Sequence, residues 1–295
     1  MSTDLMQSLG NNVSADDLEL ANRAMQEGGG VQLPFPTVFA WAHNGSKKMS
    51  KVGGVDFHGG WHINADGLEE MSESGELFTP FDKLTWKKET QNEGMASAYD
   101  VYTSRVLNIA PIAWRMSWLD KEGKNRAPDF DQSHTRSHLQ YLCLLGQVIS
   151  DGDKKQVQLI APAVISVKGF GQTRALKEAL GAWRKVIDPL RGGMNAKKLP
   201  AYTWWLTIGT HGDQPTFETV GKGSQTNDIT PLKAIILNDK PTAEWMGARF
   251  IGTENFVLAT SLLKESQDWL KAWKQPTTTK PVIEEPIDPQ HEDLM

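Results

Sequence analysis

Two histidine pairs carry a spacing on which metal chemistry is often built: His58 and His62 in DFHGGWHIN, and His134 and His138 in SHTRSHL. An i, i+4 pair binds a metal from one face of a helix, with further ligands supplied nearby. Gly59-Gly60 opposes a helix in the first pair, and the second pair leads into a strand-like run. Both therefore read as histidines of turns or of a sheet surface, and no metal is expected. Ser, His and Asp are all available for a nucleophilic triad, but no nucleophile elbow accompanies them. KGFGQTRALK (168–177) sets glycines ahead of a helix N-terminus, where backbone N–H groups can meet a phosphate. It lacks both the Walker and the full dinucleotide patterns. Glu69-Glu70 lies in polar loop sequence, where carboxylates are solvated. No cofactor and no catalytic constellation are expected.

Aromatic and basic residues standing side by side are more informative. Eleven Trp against four Tyr is a strong bias. Lys47, Lys48 and Lys51 follow Trp41 and precede Trp61, and Trp86 is followed directly by Lys87 and Lys88. Arg105 and Arg115 lie in one long strand-like run, Lys124, Arg126 and Arg136 follow it, and Lys168 and Phe170 flank a glycine. Strand alternation puts Trp114, Met116 and Trp118 on one face, which reads as core, and Arg115 on the other. Trp183, Trp269 and Trp273 read as helix-face core. Trp41, Trp61 and Trp86, beside glycine, lysine or turns, are the rings expected at the surface. Exposed rings stack on bases for about 1–3 kcal/mol each while Lys and Arg follow the phosphates. That combination suits single strands, whose bases are splayed and available. It suits a duplex less well, because no recognition helix rich in Arg, Asn or Gln is present.

Bulk composition narrows the class. Hydrophobic content of 39% and charged content of 23% describe a globular body with ample length for a core. The single cysteine, Cys143, excludes an intramolecular disulfide, and its apolar setting YLCLLG reads as a buried, inert thiol. No segment resembles a signal peptide and no apolar run reaches bilayer length, so a cytoplasmic protein with no membrane partner is expected. The net charge of −5 is unevenly spread. Residues 1–30 and residues 275–295 each carry −4, which leaves +3 on residues 31–274. Acidic ends on a mildly basic body point to a polyanionic ligand for the body.

These residues need a scaffold. SADDLELANRAMQE (14–27) has Ser14 as an N-cap and Leu18, Ala21 and Met25 at helical spacing. TVFAWAH, KVGGVDF and GWHIN are short β-prone runs separated by the turn signals NGSKK, HGG and NADG. LFTPFDKLTW and VYTSRVLNIAPIAWRMSWL continue the style, with Pro111 marking an edge or bend. HLQYLCLLGQVI and KQVQLIAPAVISVKG form a pair around SDGD. Leu176, Leu180, Trp183, Ile187 and Leu190 give a helix over 173–190, stopped at Gly192-Gly193. AYTWWLTIGT, TFETVG and PLKAIIL return to strand character, and 254–273 closes the body as one helix. The fold class is α+β and β-rich, with two main helices. Three regions follow: an acidic arm with a short helix over 1–30, a β-rich nucleic-acid-binding body over 31–274, and a disordered linker with an acidic tail over 275–295.

The linker KQPTTTK (274–280), the carboxylates Glu284, Glu285, Asp288, Glu292 and Asp293, and the tip Leu294-Met295 give the chain its resemblance to a known group. This layout resembles single-stranded DNA-binding proteins of bacteria and their phages. The resemblance implies an oligonucleotide-binding (OB-like) β-barrel body and a non-enzymatic role in replication, recombination or repair. It also implies that the tail recruits replication or recombination proteins and competes with DNA. Where the bacterial tail ends Asp-Ile-Pro-Phe, this chain has Glu-Asp-Leu-Met. RNA remains open beside DNA as the ligand, as does a homo-oligomeric state. A virion or assembly structural protein, with a Trp-rich body packing between subunits, and an enzyme acting on nucleic acid are the competing classes.

Overall fold

The computed structural model describes residues 32–44, 51–52, 55–56, 59–71, 87–91, 99–123, 125–151, 154–193, 199–210, 217–220, 227–234 and 242–274. The N-terminal part holds β1 (Val38–Asn44), β2 (Lys51–Val52), β3 (Val55–Asp56), β4 (Gly59–Asn64) and α1 (Ala65–Met71). Strands β5 (Lys87–Gln91), β6 (Tyr99–Ser104), β7 (Val106–Leu119), β8 (Arg126–Ala127), β9 (Arg136–Asp151) and β10 (Lys154–Lys168) come next. Helix α2 (Phe170–Gly193) leads to a 3-10 turn (Ala201–Thr203), then β11 (Leu206–Gly209), β12 (Glu218–Val220), β13 (Asn227–Ile229) and β14 (Lys233–Ala234). Helices α3 (Ala243–Gly247), α4 (Thr253–Glu265) and α5 (Gln267–Ala272) follow. The helix expected over 14–27, the strand expected over 77–86 and the tail lie outside the described residues. The described fold is mixed and strand-rich, as the alternating sequence pattern predicts.

One ten-stranded sheet dominates, in the order β14-β11-β7-β9-β10-β1-β4-β6-β5, with β8 beside β7. It curls into a half-barrel. β9 and β10 pair antiparallel from Asp151↔Lys154 to His138↔Lys168, the hairpin that SDGD signals. β1 joins β10 in parallel, and the other pairs are antiparallel. The sheet is packed on both sides, which explains why YLCLLG is a continuous apolar run rather than an alternating one. Leu139, Tyr141, Cys143 and Leu145 face the cluster that holds Leu176, Leu180, Trp183 and Ile187 of α2. Leu142 and Leu144 face the cluster of Ala259 and Leu262 of α4 and Trp269 of α5. Cys143 is fully buried, and burial pushes its thiol pKa up, which keeps it protonated.

Two local differences from the sequence reading matter for what the fold positions. NADG, read as a turn, opens α1: Asn64 Oδ1 accepts the Asp66 N–H at 3.2 Å while Ala65 and Leu68 are buried. The closing helix is two helices, because Ser266 adopts φ −84 and ψ 5 between them and its hydroxyl donates to the Leu263 carbonyl at 3.1 Å. Such back-bonding competes with the helical ladder. Beyond the break Trp269 and Trp273 are buried against Arg115 of the sheet. Gly169, with φ 85, turns β10 into α2 and donates its N–H to the Ser137 carbonyl at 2.7 Å. A side chain at that φ would be strained, so the glycine sets where Lys168 and Phe170 emerge. No helix among the described residues is long and apolar enough to cross a membrane.

Candidate functional site

Strand register brings the basic residues of the long strands together. Arg115↔Gln140 and Ser117↔His138 are opposed on β7 and β9, and Gln140↔Ser166 and His138↔Lys168 on β9 and β10. Opposed residues share a face, so these six line the side covered by α4 and α5. Arg126, on β8 beside Leu119, reaches the same place. Its Nη1 donates to Ser117 Oγ and lies 3.4 Å from His138 Nδ1. A guanidinium only donates, so Nδ1 accepts and the imidazole carries its proton on Nε2, which donates to Ser166 Oγ at 2.8 Å. His138 is therefore neutral.

Burial is the main reason that the His138 pKa lies well below the ordinary histidine value. The charges of Arg126, Lys168, Arg115 and Arg136 then add to the shift in that order. Four of the basic residues singled out from sequence thus converge on one buried ring. His138 itself, read as a turn or sheet-surface histidine, is fully buried, because it sits mid-sheet under α5. Arg115 and Arg126 are buried as well.

Helix α5 closes over this cluster with aromatic rings. The Arg115 guanidinium lies 3.8 Å from the Trp269 ring centroid and 4.1 Å from that of Trp273. Arg126 stands 3.8 Å from the Trp273 centroid, and His138 is 4.7 Å from the same ring. Indole and guanidinium planes therefore alternate, each contact being worth up to about 2 kcal/mol when desolvated. Arg115 also donates Nε and Nη2 to Gln140 Oε1 at 3.0 and 2.8 Å, and Nη1 to the Trp269 carbonyl at 2.9 Å. Burial, and then the Arg126 charge, lower the Arg115 pKa, so this positive charge is held at a desolvation cost that the hydrogen bonds and ring faces offset.

A row of partners crosses the sheet from there. Arg115 opposes Gln140, then Ser166, Trp41, His62, Thr103 and Lys87 on successive strands. Trp41 is half-buried, with its ring centroid 5.9 Å from Phe39 and 5.8 Å from His62. At the strand ends Arg136 is exposed and Lys168 is half-buried, which makes them the accessible rim of the cluster, and Phe170, the first residue of α2 two positions after Lys168, is 60% exposed.

Other expected residues lie elsewhere. Trp61 is fully buried, a correction to its expected exposure, because alternation turns it with Ile63 into the core under α2. Arg105 is half-buried at the β6–β7 junction, where its carbonyl accepts the Thr210 N–H at 3.0 Å. Lys51, Lys87 and Lys88 are placed by backbone register alone, on β2 and β5. Lys47, Lys48, Trp86, Lys124 and the tail residues Glu284, Glu285, Asp288, Glu292, Asp293, Leu294 and Met295 lie outside the described residues.

Trp114 shares a face with Met116 and Trp118 as alternation predicts, but it is 50% exposed rather than core. β11 covers only Val106–Ile109 of β7 and β8 only Trp118–Leu119, which leaves the edge between them without a paired strand among the described residues. His134 of the second histidine pair is held by Asp131, whose Oδ1 accepts its backbone N–H at 2.7 Å. Among the described residues no group of three or more His, Cys, Asp or Glu is placed to hold a metal. Set against protein-family models, curated proteins and solved structures, the chain matches none of them.

Proposed function

We propose that the chain binds single-stranded DNA without enzymatic chemistry, through the basic and aromatic face gathered around His138. The observation that carries this reading is the strand register that sets Arg115, Arg126, Arg136 and Lys168 around His138. A cluster of like charge focuses a positive field that draws a polyanion. Arg136 and Lys168 at the rim contact phosphates, and the exposed Phe170 ring offers a base a stacking face. Arg115 and Arg126 act from beneath, as sources of field and as props for Trp269 and Trp273. The curled, strand-rich body supports an OB-like reading, in which a concave sheet face carries the strand. The layout resembles the bacterial and phage single-strand binders noted above. On that reading the chain serves replication, recombination or repair, and the acidic segment 281–295 recruits partner proteins.

Titration with oligo-dT while following tryptophan fluorescence is the direct test. Strong quenching is expected at low salt, with affinity falling as salt rises because binding releases condensed counterions. Absence of quenching and of any anisotropy change at low salt would sink the proposal. A chain lacking residues 281–295 is expected to bind oligo-dT more tightly, since a competing polyanion is gone. Unchanged affinity would restrict that segment to partner binding.

A further inference from the structure

One flank of α2 carries Phe170, Arg174, Lys177, Gly181 and Arg184, all exposed or half-exposed. Alternating steps of four and three residues put them on a single stripe of the helix, about 21 Å long. On the same side of the sheet Trp114, Met116 and Trp118 alternate along β7, opposite Tyr141, Leu139 and Ser137 of β9. Local bonds fix the helix beside them. The Ser137 carbonyl accepts the Gly169 N–H, and its hydroxyl donates to Thr173 Oγ1 at 3.0 Å. Further along, Lys177 Nζ donates to Met116 Sδ at 3.0 Å and lies 5.9 Å from the Trp114 ring centroid. Arg184 stands beyond it, beside Trp114 and Tyr141. Stripe and strand thus border a track on the surface, with rings on one side and cations on the other.

The track faces solvent. Trp114 is 50% exposed, and Lys177 and Arg184 are exposed with no carboxylate partner among the described residues. Arg174 is held by Glu178 at 2.7 Å, away from the strand. Gly181 lies between the two unpaired cations. A Cβ added there meets nothing within 4 Å, and its φ lies outside the left-handed region. Neither packing nor backbone conformation therefore calls for glycine, although glycine inside a helix is less stable than alanine. Its effect is to keep the stripe low between Lys177 and Arg184, alongside an exposed indole. Phe130 packs edge-on against Trp118, with centroids 5.1 Å apart, and carries Asp129 and Asp131 on either side. Those acids bound the track on that side, so its positive part is the stretch from Lys177 to Arg184.

We propose that this track carries a stretch of bound single-stranded DNA, with one base on the outer face of the Trp114 ring and the backbone over Gly181. Its phosphates lie on Lys177 and Arg184. The proposal rests on the single-strand reading above and extends its contact surface from Lys168 and Phe170 along α2. Stacking uses the exposed ring face, so no base enters the sheet.

The test uses the full chain with labelled oligo-dT and an abasic oligomer of equal length, read by anisotropy. Gly181→Glu fills the gap and sets a carboxylate between two phosphate contacts, so it should weaken oligo-dT binding about tenfold. Gly181→Ala adds one methyl and should cost far less. Both should unfold in urea at or above the native midpoint, since the added side chain meets no neighbour. Trp114→Ala should cost oligo-dT about tenfold and the abasic oligomer little, while Trp114→Phe keeps most of the binding. Removing Lys177 and Arg184 together by alanine should flatten the log–log salt dependence by about 1.4, the share of two phosphates on a single strand. Native-like oligo-dT binding by Gly181→Glu or Trp114→Ala, or equal losses of Trp114→Ala on both oligomers, overturns the track. Oligo-dT binding by the native chain would still keep the single-strand reading. If the native chain binds no single strand at all, both fall.

Discussion

Arg115→Ala is expected to lower the unfolding free energy by about 3–4 kcal/mol and to free the indoles of Trp269 and Trp273. Two opposing effects meet at this residue. Removing the guanidinium relieves the desolvation cost and the repulsion from Arg126 that lower its pKa. It also removes three hydrogen bonds and leaves Gln140 Oε1 and the Trp269 carbonyl short of a donor in a buried site. Hydrogen bonds to a charged group are worth about 1.5–3 kcal/mol each, and orphaned buried acceptors add about 1–3 kcal/mol, so the loss outweighs the relief. Urea unfolding followed by tryptophan emission would show a lower midpoint and a red-shifted native spectrum. Arg115→Lys keeps the charge but not the planar fork, and should fall between the two. A loss below about 1 kcal/mol would mean that α5 packs without the guanidinium.

Stability should also fall as pH drops below about 6.5, the ordinary histidine value, with a slope approaching 1.4 kcal/mol per pH unit from His138 alone. The sign follows from proton counting. The folded pKa is depressed by burial and then by Arg126, Lys168, Arg115 and Arg136. In acid the unfolded chain takes up a proton that the folded chain refuses, so the contribution is present above 6.5 and lost as pH falls toward the folded value. Urea midpoints measured from pH 7.5 down to 5 would reveal the slope. His138→Gln, which can still accept from Arg126 and donate to Ser166, should remove it while costing little at neutral pH. An identical slope in that variant would place the titration elsewhere.

Much of the scaffold is legible because it is local. The SDGD turn, the 3.6-residue period of Leu176, Leu180, Trp183 and Ile187, and the β-prone runs are each encoded within a few neighbouring residues, and the described elements fall on them. Alternation alone places Arg115 opposite Trp114. It cannot say which of the two faces is covered. Trp61 next to glycines read as exposed and is buried, whereas Trp114 in an apolar run read as core and is half exposed. In both cases the outcome depends on which strand or helix lies alongside, and no single-strand pattern carries that information. Ser266 gave little warning of the helix break, because its hydroxyl bond to Leu263 competes with a ladder that periodicity alone would continue.

The sequence by itself determined a β-rich body of positive charge, its main hairpin, the long helix after it, and a set of arginines, lysines and rings. Only the tertiary structure decided that Arg115, Arg126, Arg136 and Lys168 meet around His138, and that Trp269 closes on Arg115 from 154 residues away. Side-chain type and period are properties of neighbours along the chain. A charged cluster is a property of strand register and layer packing, which pair residues by burial of the whole sheet and leave no trace in the spacing between them.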